Sequence, residues 1–112
     1  MPIEDDLFDK LRIELRRGAL SLGVLLALRE ERYGYTLRQE LENVGLPIEE
    51  GALYPLLRRL ETQGLLTSEW REEGRNKRFY RLSDDGERVL AQLLQEWNAI
   101  SQSIVRLSEG NK

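Results

Sequence analysis

Apolar residues recur along this chain with two periods, and the changes between them mark its elements. From Asp5 to Glu31, Leu7, Leu11 and Leu15 keep helical spacing, and Leu20 to Leu28 are nearly all apolar. The pattern predicts one long helix. Asp5 and Asp6 suit its start, where the helix dipole favours negative charge. Gly18 and Gly23 interrupt it and point to a kink or a close packing contact, since each costs about 1 kcal/mol relative to alanine. In "YGYTLRQELENVG", Leu37, Leu41 and Val44 make the apolar face of a short second helix, and Gly45 fits its C-terminal cap. A turn at "LP" leads to a third helix over 49–64, where Leu53, Leu56, Leu57 and Leu60 form one stripe and Gly64 is the stop.

Pro55 falls inside that third helix. An interior proline loses a hydrogen bond, and its ring presses on the carbonyl four residues back. Here that residue is Gly51, which has no side chain and leaves the backbone free to shift. The opposite face of the helix carries Gly51, Pro55, Arg58 and Thr62, flanked by Tyr54 and Arg59. A slim helix start rich in free N–H donors can enter a major groove and meet phosphates.

The period then shortens. "LLTSEW" and "RFYRLS" half alternate and are rich in β-formers, and "REEGRNK" between them is a charged turn. A β-hairpin with a basic tip is predicted. Ser83 follows as an N-cap, with Asp84, Asp85 and Glu87 in the first turn of a last helix that runs to about Ser108. Its apolar residues fall at Leu90, Leu93, Trp97, Ile100, Ile104 and Leu107, alternating steps of three and four that make an unbroken heptad seam, widened by Leu94 and Val105. Such a helix is roughly 36 Å long, more than the rest of the chain needs as a cover. Part of the seam packs on the first helix; its length and regularity predict that it also pairs with a second copy of the chain. Trp97 stands mid-seam. It is either a core or interface tryptophan, or, with its mate, the wall of a cavity for flat aromatic or hydrophobic ligands.

The expected fold is therefore mainly α with a small β-hairpin: a winged helix-turn-helix plus a long C-terminal dimerisation helix. Residues 1–82 would form the winged helix-turn-helix with its N-terminal helix, 83–108 the C-terminal helix, and 109–112 a frayed tail.

Composition narrows the function. The 112 residues contain no cysteine and no histidine. That removes disulfides, thiolate chemistry, most zinc sites and every Ser-His or Cys-His nucleophile pair. No enzyme activity, metal or cofactor is expected. The longest apolar stretch is far short of the roughly 20 residues a membrane helix needs, and the acidic start "MPIEDDLFDKL" lacks the layout of a signal peptide. A cytoplasmic protein with no membrane partner is expected.

The net charge of −3 looks unfavourable for nucleic acid, yet residues 54–81 hold seven basic and four acidic side chains. Screening over about 10 Å makes a local patch matter more to a polyanion than the total. Arg58 and Arg59 on the third helix, and Arg75, Lys77 and Arg78 on the hairpin, read singly as a solvated surface, Arg58 pairing with Glu61. Together, in the order recognition helix then basic wing, they point to double-stranded DNA. Tyr33 and Tyr35 flank Gly34 and either pack on the core or offer hydroxyls to phosphates.

"GALYPLLRRLETQGLL", then Trp70 and "GRNKRFYRLSDDGERVL", resemble the PadR family of bacterial transcriptional regulators, and "RGALSLGVLLAL" and "YGYTL" agree with it. The resemblance spans about residues 16–107 and is close to the small members with one C-terminal helix. It implies a dimeric repressor on a roughly palindromic operator, released when an inducer alters the spacing of its two recognition helices. Carried onto matching positions, DNA contacts would come from Tyr35 and Thr36, from Ala52, Tyr54 and Arg58, and from Arg75, Lys77 and Arg78. Glu49 and Ala52 depart from the family, whose members often place serine or asparagine at the first position and threonine or serine at the second. The competing expectation is a winged-helix module that binds protein, suggested by Glu49 and a sequence pI of about 5.1.

Overall fold

A computed structural model of the chain describes residues 2–110, with side chains from residue 5 onward. The order of elements is α1 (Pro2–Ala27), β1 (Arg32–Tyr33), α2 (Gly34–Asn43), α3 (Glu50–Thr62), β2 (Leu66–Glu73), β3 (Arg75–Leu82) and α4 (Asp84–Glu109). The fold is mainly helical with one small antiparallel sheet, and the helix-turn-helix of α2 and α3 leads directly into the wing of β2 and β3.

The core is a leucine cluster where α1, α2 and α3 meet the base of the wing. Val24 and Leu25 of α1, and Leu28 just beyond it, meet Leu37 and Leu41 of α2 and Leu53 and Leu57 of α3, all almost completely buried. Each such side chain contributes about 1.5–3 kcal/mol by leaving water. The α3 stripe read from the sequence is buried as a unit, Leu56 and Leu60 included. Gly23 provides a close packing contact: a methyl on it would crowd the Leu46 side chain at 2.9 Å, so the α2–α3 turn seats directly on α1. Arg16 adds a bond to the same turn, donating to the Gly45 carbonyl at 3.2 Å.

α3 runs unbroken through Pro55. The missing hydrogen bond would have gone to Gly51, and both residues lie on the exposed face, where water can reach the freed carbonyl. Gly45 and Gly64 follow the ends of α2 and α3 with φ of 86° and 84°, the left-handed conformation that glycine adopts without Cβ strain.

Val44, read as part of the apolar face of α2, is its C-cap residue and is exposed, and two larger features differ from the sequence expectation. α1 ends at Ala27, four residues before Glu31. Arg32 Nε donates to the Ala27 carbonyl at 2.9 Å and satisfies the helix end, while Arg29 N turns tightly back to Leu26 O. The freed residues lead into β1, which pairs with β3 (Arg32 opposite Tyr80, Tyr33 opposite Phe79) and makes the hairpin a sheet of order β1-β3-β2. A two-residue strand has no period to detect.

The second difference concerns Leu90. It was expected on the dimer seam, but it is 4% exposed and belongs to the chain's own core. The seam left open on α4 begins at Leu93. From there Trp97, Ile100, Ile104, Val105 and Leu107 are exposed, and so are Leu7, Phe8, Leu11, Ile13 and Leu15 on the first half of α1.

α4 starts where expected. Ser83 Oγ accepts from Gly86 N at 2.9 Å and donates to the Gly64 carbonyl at 2.6 Å, so one hydroxyl caps α4 and ties it to the end of α3. Ser83→Ala is expected to cost about 1 kcal/mol, read from urea unfolding at fixed protein concentration; an unchanged midpoint would show the cap to be idle. Glu109 closes α4 and Gly110 follows as its cap, while the last two positions of the expected tail lie outside the described residues.

Candidate nucleic-acid interface

Four of the eight sequence candidates, Tyr54, Arg58, Lys77 and Arg78, meet where α3 faces the wing. An open cleft of about 390 Å³ lies between them. Tyr54 and Arg58 line it from α3, Lys77, Arg78 and Tyr80 from β3, and Trp70 from β2. The backbone explains the convergence. Trp70 stands opposite Arg78 in the β2–β3 register, and Tyr80 lies two residues further along the same face. Arg58 follows Leu57 out of the core, so the burial of the leucine stripe turns the arginine toward solvent.

Tyr54 is half-buried, with its hydroxyl against Gly34 at the start of α2, where a methyl would collide with the ring. This close approach fixes the separation of the two helix starts. Thr36 Oγ1 donates to the Tyr33 carbonyl at 3.0 Å and bends the chain into α2. Tyr35 is exposed, and its hydroxyl accepts from Gln39 Nε2 at 3.0 Å. Tyr35 lines a different cleft, beside Arg38, Pro47 and Glu49 at the α2–α3 turn. Ala52 and Arg75 are exposed at the start of α3 and at the wing tip. Glu49 is the N-cap residue of α3, yet its side chain accepts no capping bond.

The basic residues divide into two groups. Arg71 and Arg78 are bound internally. Arg71 makes a paired contact with Glu31 at 2.7 Å, reaches Glu69 at 3.0 Å and lies 4.6 Å from the centre of the Phe79 ring. The bonds to Glu31 first, and then to Glu69, raise the guanidinium's already high pKa, and Arg71 in turn holds the Glu69 carboxyl below its ordinary range. Arg78 pairs with Glu61 at 3.0 Å, taking the carboxylate that the sequence offered to Arg58. By contrast, Arg58, Arg59, Arg75, Lys77 and Arg81 make no ion pair among the described residues. The Lys77 ammonium sits 4.6 Å over the Tyr33 ring, a cation–π contact that holds its charge without a carboxylate partner. The Tyr80 phenol is buried under Arg78, and that burial pushes its pKa up.

Gly34, Trp70, Asn76 and Tyr80 also line the cleft and were missed as site candidates. Trp70 is 65% exposed, unusual for a tryptophan. Strand alternation, by placing Trp70 opposite Arg78, was the signal that could have found it.

The profile of the Transcriptional regulator PadR-like family matches residues 22–92, from the second half of α1 to the start of α4. The chain belongs to the PadR-like family of transcriptional regulators. The PadR family transcriptional regulator of Eggerthella lenta has the same overall structure, with a TM-score of 0.91 and 44% identity over 99% of this chain and 100% of that one. A PadR-like transcriptional regulator of Bacillus cereus superposes with a TM-score of 0.78 at 27% identity, covering 88% of this chain and 99% of its own. Transcriptional regulator Rv3488 of Mycobacterium tuberculosis is 42% identical over 81 residues, which is 70% of this chain and 76% of that protein. Among the described residues of this PadR-like regulator, no helix is long and apolar enough to cross a membrane, and no group of acidic side chains is placed to hold a metal ion.

Proposed function

We propose that this PadR-like regulator acts as a repressor, binding a two-fold-symmetric operator as a homodimer, with no enzymatic step. α3 would lie in the major groove and the wing on the flanking phosphates. The observation that carries this reading is the cleft. It brings together an α3 arginine with no ion pair among the described residues, a wing lysine held over the Tyr33 ring, and an exposed tryptophan. Arg58 and Tyr54 would meet DNA from α3, Ala52 would let the helix start approach closely, and Tyr35 and Thr36 would contact the backbone from α2. Arg75 and Lys77 would reach phosphates from the wing tip. Arg78 acts through its hold on Glu61.

The dimer reading is supported by the runs of exposed apolar residues on α1 and α4, since extended exposed apolar surface marks interaction sites. Trp97, 43% exposed in mid-seam, is where a flat hydrophobic inducer would enter between paired helices and alter the spacing of the α3 pair. A regulator of this kind would work in the cytoplasm.

Arg58→Ala tests the DNA surface. Operator binding by the wild-type dimer should weaken steeply with salt. In the variant the slope of log K against log salt should fall by about 1.8, about 0.9 for each of two phosphates lost. An unchanged slope and affinity would remove Arg58 from the interface. The uncapped, exposed Glu49 favours one other reading, a module that binds protein. It predicts that no genomic fragment with a symmetric site is enriched on the protein against competitor DNA.

A further inference from the structure

The wing is fastened to α3 by a closed triangle of three side chains. Ser68 Oγ of β2 donates to Glu61 Oε2 of α3 at 2.7 Å. Arg78 Nε of β3 donates to the same Ser68 Oγ at 2.9 Å, and Arg78 Nη2 donates to Glu61 Oε1 at 3.0 Å. All three residues are half-buried, and the guanidinium lies between the Tyr80 ring at 5.5 Å and the Trp70 ring at 5.8 Å. Among the described residues these are the only side-chain polar links between the hairpin and α3. Below them the hairpin is anchored by buried Leu66, Tyr80 and Leu82; above them it projects freely to Gly74.

We propose that Glu61, Ser68 and Arg78 form a latch that sets the separation of recognition helix and wing, with Arg78 a positioning residue rather than a phosphate contact. A carboxylate beside a polyanion is a liability unless it does something else, and here both of its oxygens are engaged. Arginine is required because one planar fork must serve Ser68 through Nε and Glu61 through Nη2. Lysine offers a point charge that can satisfy only one of them well. A wing held at a fixed distance delivers Lys77 and Arg75 to phosphates without the entropic cost of ordering a loose hairpin on binding.

The inference rests on the DNA-binding reading for its affinity arm alone, so the test has two arms. In the first, operator affinity is measured for Glu61→Gln, Ser68→Ala and Arg78→Lys, each checked for its melting temperature and dimer mass. The latch predicts at least roughly fivefold weaker binding for Glu61→Gln and Arg78→Lys, although the first removes a negative charge near DNA and the second keeps the positive one. Lys77→Ala should then add little in the Glu61→Gln background, while Arg58→Ala keeps its full effect. Equal or tighter binding by Glu61→Gln would overturn the proposal and return Arg78 to the phosphates.

In the second arm, spin labels are placed on cysteines introduced at Thr62 and Glu73, in a chain that has no other cysteine. The distance distribution, measured without DNA, should broaden in Glu61→Gln. An unchanged distribution overturns the latch. If the wild-type protein selects no DNA site, the proposed function falls and this distance still decides the latch.

Discussion

Gly86→Ala is expected to destabilise the protein by about 2 kcal/mol, although alanine is the better helix former. In an open helix the change would gain about 1 kcal/mol. Gly86 is buried in the first turn of α4, and a methyl there would overlap the carbonyl oxygen of Leu65, with the Leu82 side chain 3.2 Å away. The obstacle is backbone, and it is held: Leu65 O accepts from Ser83 N at 3.0 Å, in the junction that joins α4 to the end of α3. Relief therefore means breaking that hydrogen bond, worth about 1 kcal/mol, and shifting a packed junction, at about 1–3 kcal/mol. Those costs exceed the gain in propensity. Gly18 is the opposite case, with open space around it in the single protomer. Thermal unfolding of both variants would check the argument, and a neutral Gly86→Ala would show that the junction yields.

The second large effect is expected in assembly. The double variant Ile100→Glu, Ile104→Glu should be a folded monomer of about 13.1 kDa by light scattering, where the wild-type protein should show twice that mass. Both residues are more than half exposed in the protomer, so charge there costs the single chain little. In a paired seam the same change buries four carboxylates per dimer, each costing several kcal/mol without a partner. Operator affinity should fall with the mass, because half-sites are then bound one at a time. A variant that keeps the wild-type mass would place the self-association surface elsewhere.

Much of the fold was legible because its core is built from runs with a clear period. Leu53, Leu56, Leu57 and Leu60 announce both α3 and its buried face, and Ser83 with three acids behind it announces the start of α4. What escaped has no period. β1 is two residues long and exists through its pairing with β3, so it went unread, and residues 28–31 before it read as more helix. Leu90 kept the rhythm of the seam, but the rhythm cannot say where the chain's own core ends and free surface begins. The apolar first half of α1 was legible as helix but not as surface, for the same reason.

The candidate site was legible in part. Clustered arginines pointed to the side where α3 faces the wing, but a charge count cannot tell engaged cations from free ones. Glu61 stood beside Arg58 in the sequence, and tertiary structure gave it to Arg78 across the hairpin. Trp70 looked like an ordinary strand residue until the β2–β3 register set it in the cleft.

The strand order β1-β3-β2 leaves the outer side of β2 unpaired along its length. An eight-residue open edge is an invitation to pair with another chain and seed aggregates. The chain answers it with charge: Glu69, Arg71, Glu72 and Glu73 occupy the outer part of that strand. Acidic residues weaken attraction to DNA, yet on this edge they keep crowded copies from zipping together through their sheets. The acidic share of a wing that is otherwise basic thus fits a need for solubility, separate from any contact with a partner.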